Sequence, residues 1–228
     1  MPRPHITTIL AMSADGKITD ARQGAARFPS AADKHHLEQC LSTADATLFG
    51  ANTLRAYGTT ALITNPALLE QRRQQNRSPQ PTHIVCSRSG QLETTSRFFS
   101  QPVPRWLLTT PAGAAPWAAS RSFERVWTAP ADDGGFDWAA IVSELKTSGF
   151  HHLVVMGGGQ LVAALVAADL VDELWLTVCP LIIGGHRTPT PCDGEGFALE
   201  SAPTLRLLSC QTIDSEVFLK YGRQRFSA

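Results

Sequence analysis

Short apolar runs alternate with helical segments over the first 180 residues, and this alternation restricts the fold more than any other feature of the chain. Strands that alternate with helices form crossover units, in which the strands lie parallel and the helices cover the sheet. The alternation therefore predicts an α/β fold with a mostly parallel sheet and helices on both faces.

The pattern also predicts the approximate bounds of each element. Expected strands cover residues 5–12, 46–49, 83–86, 105–109, 125–128, 152–156 and 173–179, and expected helices cover 31–43, 66–75, 137–148 and 160–169. Further on, 205–213 and 217–221 flank the turn signal Asp214-Ser215 and predict a C-terminal antiparallel hairpin. The segment 111–120 is too rich in alanine and proline for a prediction.

Composition bounds the class of protein. The 228 residues are 43% hydrophobic and 18% charged, which is typical of a globular chain, and residues 1–228 are expected to form a single domain. Twenty basic residues balance twenty acidic ones. No global field favours nucleic acid or an anionic membrane, so any bound anion must be held locally.

The five cysteines lie far apart and include no C-x-x-C pair, so neither a zinc site nor a disulfide framework is expected, and no metal is predicted. A reducing cytoplasm fits this cysteine usage. The N-terminal apolar run of seven residues is too short for the core of a signal peptide.

The sharpest local feature is a strand that runs into three glycines and then a helix, in HHLVVMGGGQLVAALVAADL. Glycines let backbone approach a ligand closely, and the first amides of a helix attract a phosphate. The alternative is that Gly157, Gly158 and Gly159 only make a tight turn. The run is not a G-x-G-x-x-G fingerprint, because the last glycine position holds Val162.

Three other strands also end in polar or cationic residues. Asp15-Gly16-Lys17 follows the first strand, Gly50-Ala51-Asn52-Thr53 follows the second, and Ser87-Arg88 follows the third. Open α/β sheets bind ligands at the carboxyl ends of their strands, so the four ends are expected to share one edge of the sheet. Each segment alone is also compatible with a solvated turn or a plain helix cap.

These residues resemble the pyrimidine reductase family of riboflavin biosynthesis, which shares the dihydrofolate-reductase-like fold. The resemblance runs from MSADGKIT through LFGANTL and HIVCSRSG to VVMGGGQLVAALVAADLVDELWLTVCPLIIGGHRTPTPCDGEGF. It implies NADPH-dependent reduction of a phosphorylated ribosylaminopyrimidine, such as 5-amino-6-(5-phosphoribosylamino)uracil, to its ribitylamino counterpart. The nicotinamide hydride would go to the anomeric carbon of the opened sugar.

The resemblance also implies which residues bind the cofactor. They are Ala11 and Met12 beside the nicotinamide, then Gly50, Asn52, Thr53, Gly157, Gly158, Gly159, Gln160 and Leu161 around the diphosphate and sugars, and Ser87 and Arg88 at the 2′-phosphate. A serine hydroxyl beside a guanidinium suits that phosphate and favours NADPH over NADH.

On the substrate side, Lys17 matches a family lysine near the reacting sugar, and Ser30 and Lys34 match the residues that hold the substrate phosphate. Arg72 or Arg73 is a candidate replacement for a family arginine. The proton is expected from Lys17, Asp15 or an ordered water, which leaves the donor open.

Two departures from the family pattern concern the substrate. Met156 stands where the family usually has a glutamate, and Arg55 to Thr60 replace a segment with paired aspartates and a proline. Reduction of another heterocycle and a non-catalytic NADPH-binding module therefore remain as alternatives. A homodimer is expected from the resemblance and from the apolar C-terminal hairpin.

Overall fold

The structure, a computed structural model, describes residues 3–132 and 135–225. The strands are β1 His5–Ser13, β2 Ala46–Gly50, β3 Thr82–Cys86, β4 Arg105–Thr109, β5 Arg125–Thr128, β6 Ala131–Asp132, β7 Gly135–Phe136, β8 His152–Val155, β9 Glu173–Cys179, β10 Leu205–Ile213 and β11 Glu216–Arg223. The helices are α1 Ala31–Thr43, α2 Ala51–Tyr57, α3 Pro66–Gln74, α4 Pro111–Ala114, α5 Trp138–Thr147 and α6 Gly159–Ala167.

The expected strands and helices are all present, because their local signals are strong. The Asn65 side chain accepts from the Ala67 N–H at the start of α3, where Pro66 is the first residue. The Asp137 side chain accepts from the Ala140 N–H at 3.0 Å and begins α5. One face of α5 is buried as its spacing predicted, through Trp138, Ile141, Val142 and Leu145.

The described chain forms two compact units. The first unit contains residues 3–4, 38–132 and 135–154, and the second contains residues 5–37 and 155–225. The prediction of a single domain stays a prediction.

In the first unit the strand order is β8-β2-β3-β4-β5. The pairs β2–β3, β3–β4 and β4–β5 are parallel. Gly50 is the register partner of Cys86, and Cys86 is that of Leu108, so the carboxyl ends of β2 and β3 lie side by side. Apolar side chains of these strands, such as Leu48, Ile84 and Leu107, are buried in the core.

In the second unit the strand order is β10-β11-β9-β1. β1 and β9 are parallel, with Ala11 opposite Thr177 and Ser13 opposite Cys179. β11 is antiparallel to both β9 and β10, which confirms the C-terminal hairpin. The predicted class, a mixed and mostly parallel sheet with helices and antiparallel C-terminal strands, is confirmed.

The alanine- and proline-rich segment without a prediction forms α4 and a short 3-10 helix over Ala115–Trp117. Trp117 is buried and donates from Nε1 to the Gly90 carbonyl at 2.7 Å. Its ring packs against Phe99 and Phe123, with centroids 5.9 and 4.9 Å away. This aromatic cluster stabilises a segment whose local sequence specifies little.

Two elements differ from the sequence prediction. α2 begins directly after Gly50, so that segment is the start of a seven-residue helix, as the helix-cap alternative proposed. The short antiparallel pair β6–β7 was not predicted. Among the described residues, none of the helices is both long and apolar enough to cross a lipid bilayer.

Candidate active site

The turn after β1 is held in one shape by hydrogen bonds of the second unit. Ser13 donates through Oγ to Asp15 Oδ1 at 2.6 Å and accepts at the same oxygen from the Lys17 N–H at 2.9 Å. The Ser13 N–H donates to the Lys17 carbonyl at 2.9 Å. Gly16 has a φ of 78°, which favours glycine. The turn therefore presents Asp15 and Lys17 at the carboxyl end of β1.

The Asp15 carboxylate anchors a second loop. It accepts from the N–H groups of Ile183 and Gly184 at 3.1 and 2.7 Å. The Ser13 hydroxyl and these amides lower the pKa of Asp15 to about 2. A carboxyl with this pKa is ionised at neutral pH and has no proton to give. The structure therefore argues against Asp15 as the proton source and gives it a positioning role.

Lys17 lies against the same loop. Its Nζ donates to the Thr188 carbonyl at 3.4 Å, and the neighbouring Ile18 N–H donates to the Pro189 carbonyl at 3.0 Å. The side chain is partly exposed, so the ammonium group is accessible to a ligand. Ala11 and Met12, predicted beside the nicotinamide, are partly exposed residues of β1 in the same unit.

The triple glycine begins α6. Gly157 has a φ of 91°, a conformation that favours glycine, and Gly158 is the N-cap. The N–H groups of Leu161 and Val162 both donate to the Gly158 carbonyl, at 3.0 and 3.1 Å.

Two backbone amides at the start of α6 have no hydrogen-bond partner among the described residues. Within residues 3–132 and 135–225, the N–H groups of Gly159 and Gln160 make no hydrogen bond. The first amides of a helix lack partners within it, so this end can bind an anion. The Leu161 amide is already paired, so Leu161 can contribute only packing.

Packing within the chain also explains Gly159. A Cβ at this position would lie 2.3 Å from the Thr190 carbonyl oxygen and 2.4 Å from Asp193 Oδ2. The other carboxylate oxygen, Asp193 Oδ1, accepts from the Thr190 N–H at 3.0 Å and from its hydroxyl at 2.8 Å. The tight-turn alternative therefore accounts for the glycine at position 159.

Ser30, a predicted phosphate ligand, caps α1. Its Oγ accepts from the N–H groups of Ala32 and Asp33 at 3.0 and 3.3 Å. Its own N–H donates to Glu216 Oε1 at 2.9 Å, and its hydroxyl donates to Glu216 Oε2. Both donors of Ser30 are therefore taken by Glu216, which leaves none for a substrate phosphate. Lys34, in the first turn of the same helix, is exposed.

A carboxyl cluster lies where α1 meets β9 and β11. Burial raises the pKa of Asp33, the Thr177 hydroxyl opposes this shift, and the negative charge of Glu216 adds to it. The Cys179 thiol lies 3.4 Å from Glu216 Oε1, and burial together with Glu216 raises its pKa to about 12. The cluster thus gathers two carboxyl groups and a neutral thiol.

In the first unit, the ends of β2 and β3 carry the predicted cofactor residues. Ser87 is buried and its N–H donates to the Leu108 carbonyl at 3.0 Å, whereas Arg88 is exposed. The Arg88 side chain makes no ion pair or hydrogen bond to any described residue. Its guanidinium is therefore available to a phosphate.

The α2 helix is tied to this loop by Arg55, which sequence reasoning did not place in the site. Arg55 donates to the Asn52 side-chain oxygen and to the Gln91 carbonyl, the latter at 3.4 Å. Asn52 is exposed and Thr53 is partly exposed, so both remain accessible next to Gly50. Arg55 thereby holds the predicted cofactor residues of α2 close to the loop that follows β3.

Arg72 is placed away from any ligand surface. It is 2% exposed, and its guanidinium donates to the carbonyls of Leu41, Ser42, Ala44 and Ser78 at 2.7 to 3.3 Å. These carbonyls include the unpaired ones at the C-terminal end of α1. The structure therefore argues against substrate binding by Arg72, which stabilises the end of a helix instead.

Sequence reasoning missed Glu216 and the position of Asp33. Glu216 lies 186 residues from Ser30 in the chain, and no local pattern connects the two. The spacing Ser30-x-x-Asp33 was available as a signal for a capped helix, but it does not indicate that the carboxyl turns toward β9.

The fold places the chain in the dihydrofolate-reductase-like fold class. A dihydrofolate reductase from Enterococcus faecalis, solved with NADP(H), superposes with a TM-score of 0.53 at 15% identity over 97% of each chain. A pyrimidine reductase-like protein from Corynebacterium diphtheriae superposes with a TM-score of 0.79 at 20% identity, over 98% of this chain and 93% of the other.

Within that class, the chain belongs to the RibD C-terminal domain family, whose model matches residues 4–219. A relative from Archaeoglobus fulgidus, named 2,5-diamino-6-ribosylamino-4(3H)-pyrimidinone 5′-phosphate reductase, is 28% identical over 196 residues. That match covers 86% of this chain and 89% of the relative. The resemblance to riboflavin-pathway pyrimidine reductases is thereby confirmed.

Proposed function

We propose that this protein is an NADPH-dependent reductase of riboflavin biosynthesis that converts a phosphorylated ribosylaminopyrimidine to its ribitylamino product. The family membership and the name of the Archaeoglobus relative support this reaction. The structural observation that carries the proposal is the start of α6, where two amides have no partner among the described residues. Such a helix end suits the diphosphate of a dinucleotide.

Each unit, taken by itself, has residues that suit part of an NADPH molecule. In the first unit, Arg88 and Ser87 would bind the 2′-phosphate, and Gly50, Asn52 and Thr53 would contact the adjoining sugar and phosphate. In the second unit, the amides of Gly159 and Gln160 would bind the diphosphate, and the residues around them would line the nicotinamide half: Ala11, Met12, Gly157, Gly158 and Leu161. When bound, the reduced nicotinamide supplies a hydride.

For the substrate, two lysines of the second unit are proposed as ligands. Lys17, held at the end of β1, would contact the reacting sugar, and Lys34, exposed on α1, would pair with the 5′-phosphate. The chain has no net charge to attract an anion from a distance, so these local cations are needed. Ser30 and Arg72 are not carried into the proposed substrate set, because their donors are used within the chain.

Catalysis would depend mainly on holding two molecules in contact. Orientation of bound reactants contributes roughly 7 to 11 kcal/mol in favourable cases. The chain's own residues would bind and orient the two molecules and exclude bulk water, and the opened sugar also needs a proton.

An assay of NADPH consumption tests the proposal. The purified protein is expected to oxidise NADPH with 5-amino-6-(5-phosphoribosylamino)uracil or its diaminopyrimidinone analogue, and to use NADH poorly. Turnover only with another heterocycle such as dihydrofolate would favour the alternative in which the protein reduces that heterocycle. Met156, which replaces the usual glutamate, is the residue that supports this alternative. Tight NADPH binding without turnover on any of these compounds would identify a binding module.

We also propose a homodimer that uses the C-terminal hairpin. On β10, Leu205, Leu207 and Leu208 are 41%, 51% and 45% exposed, which is a large apolar surface for one strand. A monomeric mass in solution at micromolar concentration would contradict this. The cytoplasmic location expected from the cysteines likewise stays a prediction.

A further inference from the structure

The first turn of α1 departs from the pattern in its sequence. Ser30 at the N-cap and Asp33 three residues later have the spacing of a capping box, in which the acidic side chain bonds back to the N-cap N–H. In this protein the Ser30 N–H donates to Glu216 Oε1 at 2.9 Å instead. Because Glu216 accepts the hydrogen bond from the Ser30 N–H, the Asp33 carboxyl is not needed as its acceptor.

The Asp33 carboxyl lies over the sheet next to Thr177. The Thr177 hydroxyl is buried, makes no hydrogen bond within the described residues at ordinary distance, and interacts with the Asp33 carboxyl. Thr177 is the register partner of Ala11 on β1, so both side chains project from the same face of the sheet. Asp33 thus lies over the face that carries Ala11, the residue proposed beside the nicotinamide.

Contacts further along α1 confirm which face the helix covers. The His36 ring lies 5.1 Å from the rings of both Trp175 and Phe218, centroid to centroid. Trp175 is two residues before Thr177 on β9, and Phe218 is the register partner of Thr177 on β11. The packing of His36, three residues after Asp33, therefore agrees with a position of the first turn of α1 over Thr177.

The surroundings of Asp33 favour its protonated form. Burial and the charge of Glu216 both raise its pKa, and the Thr177 hydroxyl opposes them. The Cys179 thiol, with a pKa near 12, is neutral in this cluster. His36 has its pKa lowered to about 4 by burial, Lys220 and His35, so it is neutral above that pH. Neither the Cys179 thiol nor the His36 ring supplies a positive charge that would hold Asp33 ionised. The Lys220 ammonium lies against the Trp175 ring, with its Nζ 3.6 Å from the ring centroid.

We propose that Asp33 protonates the ring oxygen of the bound ribosylamine as the sugar opens, and that Glu216 is a positioning residue that keeps Asp33 turned toward the sheet. This inference rests on the proposed function, since the substrate is the phosphorylated ribosylaminopyrimidine. The sequence left the proton source open among Lys17, Asp15 and an ordered water. The inference assigns that role to Asp33 instead.

The Asp33 carboxyl gives its proton to the ring oxygen while the bond from that oxygen to C1′ breaks, and the lone pair of the exocyclic nitrogen forms a double bond to C1′. A bound dihydronicotinamide would supply the hydride that adds to C1′, and the electron pair of the double bond would return to nitrogen to give a neutral amine. The substrate gains one hydride and one proton, the nicotinamide is oxidised, and the Asp33 carboxylate takes a new proton from solvent.

The test compares pH profiles of kcat/KM for the wild type and Asp33→Asn. Because the donor must be protonated, the wild-type rate is expected to fall as pH rises through the pKa of Asp33. Asp33→Asn is expected to lose about 10²- to 10⁴-fold in rate and to lose this pH break. Asp214→Asn, the same change in an exposed hairpin turn, is the matched control and is expected to keep both.

A second variant separates the positioning role from a structural one. Glu216→Gln keeps an oxygen for the Ser30 N–H but removes the negative charge, so the pH break is expected to move to lower pH. In parallel, the carboxyl carbon of Asp33 is titrated by NMR in the protein without substrate, where its midpoint is expected above 3.8 and lower in Glu216→Gln.

The outcomes distinguish this inference from the proposed function. A wild-type protein that does not turn over the pyrimidine substrate contradicts the function itself, whereas the NMR titration still reports on Asp33. A pH break that survives unchanged in Asp33→Asn, in a protein that remains folded and binds ribose 5-phosphate, overturns the inference. An Asp33 midpoint at or below 3.8 overturns it as well.

Discussion

The carboxylate of Glu216 on β11 accepts two hydrogen bonds from Ser30, one from its backbone N–H at 2.9 Å and one from its hydroxyl. Glu216 is only 5% exposed, so the accepting carboxylate is largely shielded from bulk water. Together the two hydrogen bonds attach the start of α1 to the C-terminal hairpin. They also determine which groups of α1 remain for a ligand.

Glu216→Ala is expected to lower the free energy of unfolding by about 1 to 3 kcal/mol, because Ser30 loses its hydrogen bonds to a buried carboxylate. Chemical denaturation followed by circular dichroism measures this. Glu200→Ala, at an exposed acidic position, is the control and is expected to change stability by less than about 0.5 kcal/mol. Equal stability of the two variants would show that the Ser30 contact contributes little.

Arg88→Ala is expected to raise the KM for NADPH by roughly 10- to 100-fold, since a hydrogen bond to a charged group contributes about 1.5 to 3 kcal/mol. The KM for NADH is expected to stay the same, because NADH lacks the 2′-phosphate. Arg121→Ala, another exposed arginine of the first unit, serves as the control. A parallel loss with both cofactors would remove Arg88 from the 2′-phosphate site.

Asp15 is expected to make stability depend on acid pH. Its pKa is lowered from 3.8 to about 2 in the folded protein, so its contribution is complete above pH 3.8 and is lost as pH falls toward 2. Asp15→Asn is therefore expected to be less stable than the wild type at neutral pH, with a difference that shrinks on acidification through this window. Denaturation at several pH values checks this, and a constant difference would contradict the assignment.

Arg72→Leu is expected to destabilise the protein strongly while leaving the KM of the substrate unchanged in the folded fraction. Each buried carbonyl left without a donor costs roughly 1 to 3 kcal/mol, and Arg72 serves several of them. Thermal unfolding and substrate KM are measured on the same preparation. A large rise in KM at unchanged stability would restore Arg72 to the substrate site.

The sequence was sufficient for most of the fold because its local signals are consistent. Ser30, Pro66 and Asp137 each begin a helix as their residue types predict, and alternating apolar runs place the strands. α2 was missed since its seven residues follow a strand directly, without a polar N-cap. The structure of the alanine- and proline-rich segment 111–120 depends on aromatic packing around Trp117, and a local sequence pattern does not reveal such packing.

Sequence alone predicts a site residue only where that residue does not depend on distant partners in the chain. Arg88 and the glycine turn are recognisable from position at strand ends, and the structure leaves them open to a ligand. The predicted roles of Ser30 and Arg72 as substrate ligands and of Asp15 as proton source lose support, because distant parts of the chain use their hydrogen-bonding groups. Partners 28 to 186 residues away cannot be inferred from one sequence without its fold.

Transfer of deuterium tests the central claim most directly. NADPH carrying deuterium at both C4 positions is mixed with the protein and the phosphorylated ribosylaminopyrimidine, and the product is analysed by mass spectrometry and NMR. The account predicts one deuterium per product, bound to C1′ of a ribityl chain. A product without deuterium at C1′, or cofactor that stays reduced while both compounds are bound, would contradict it.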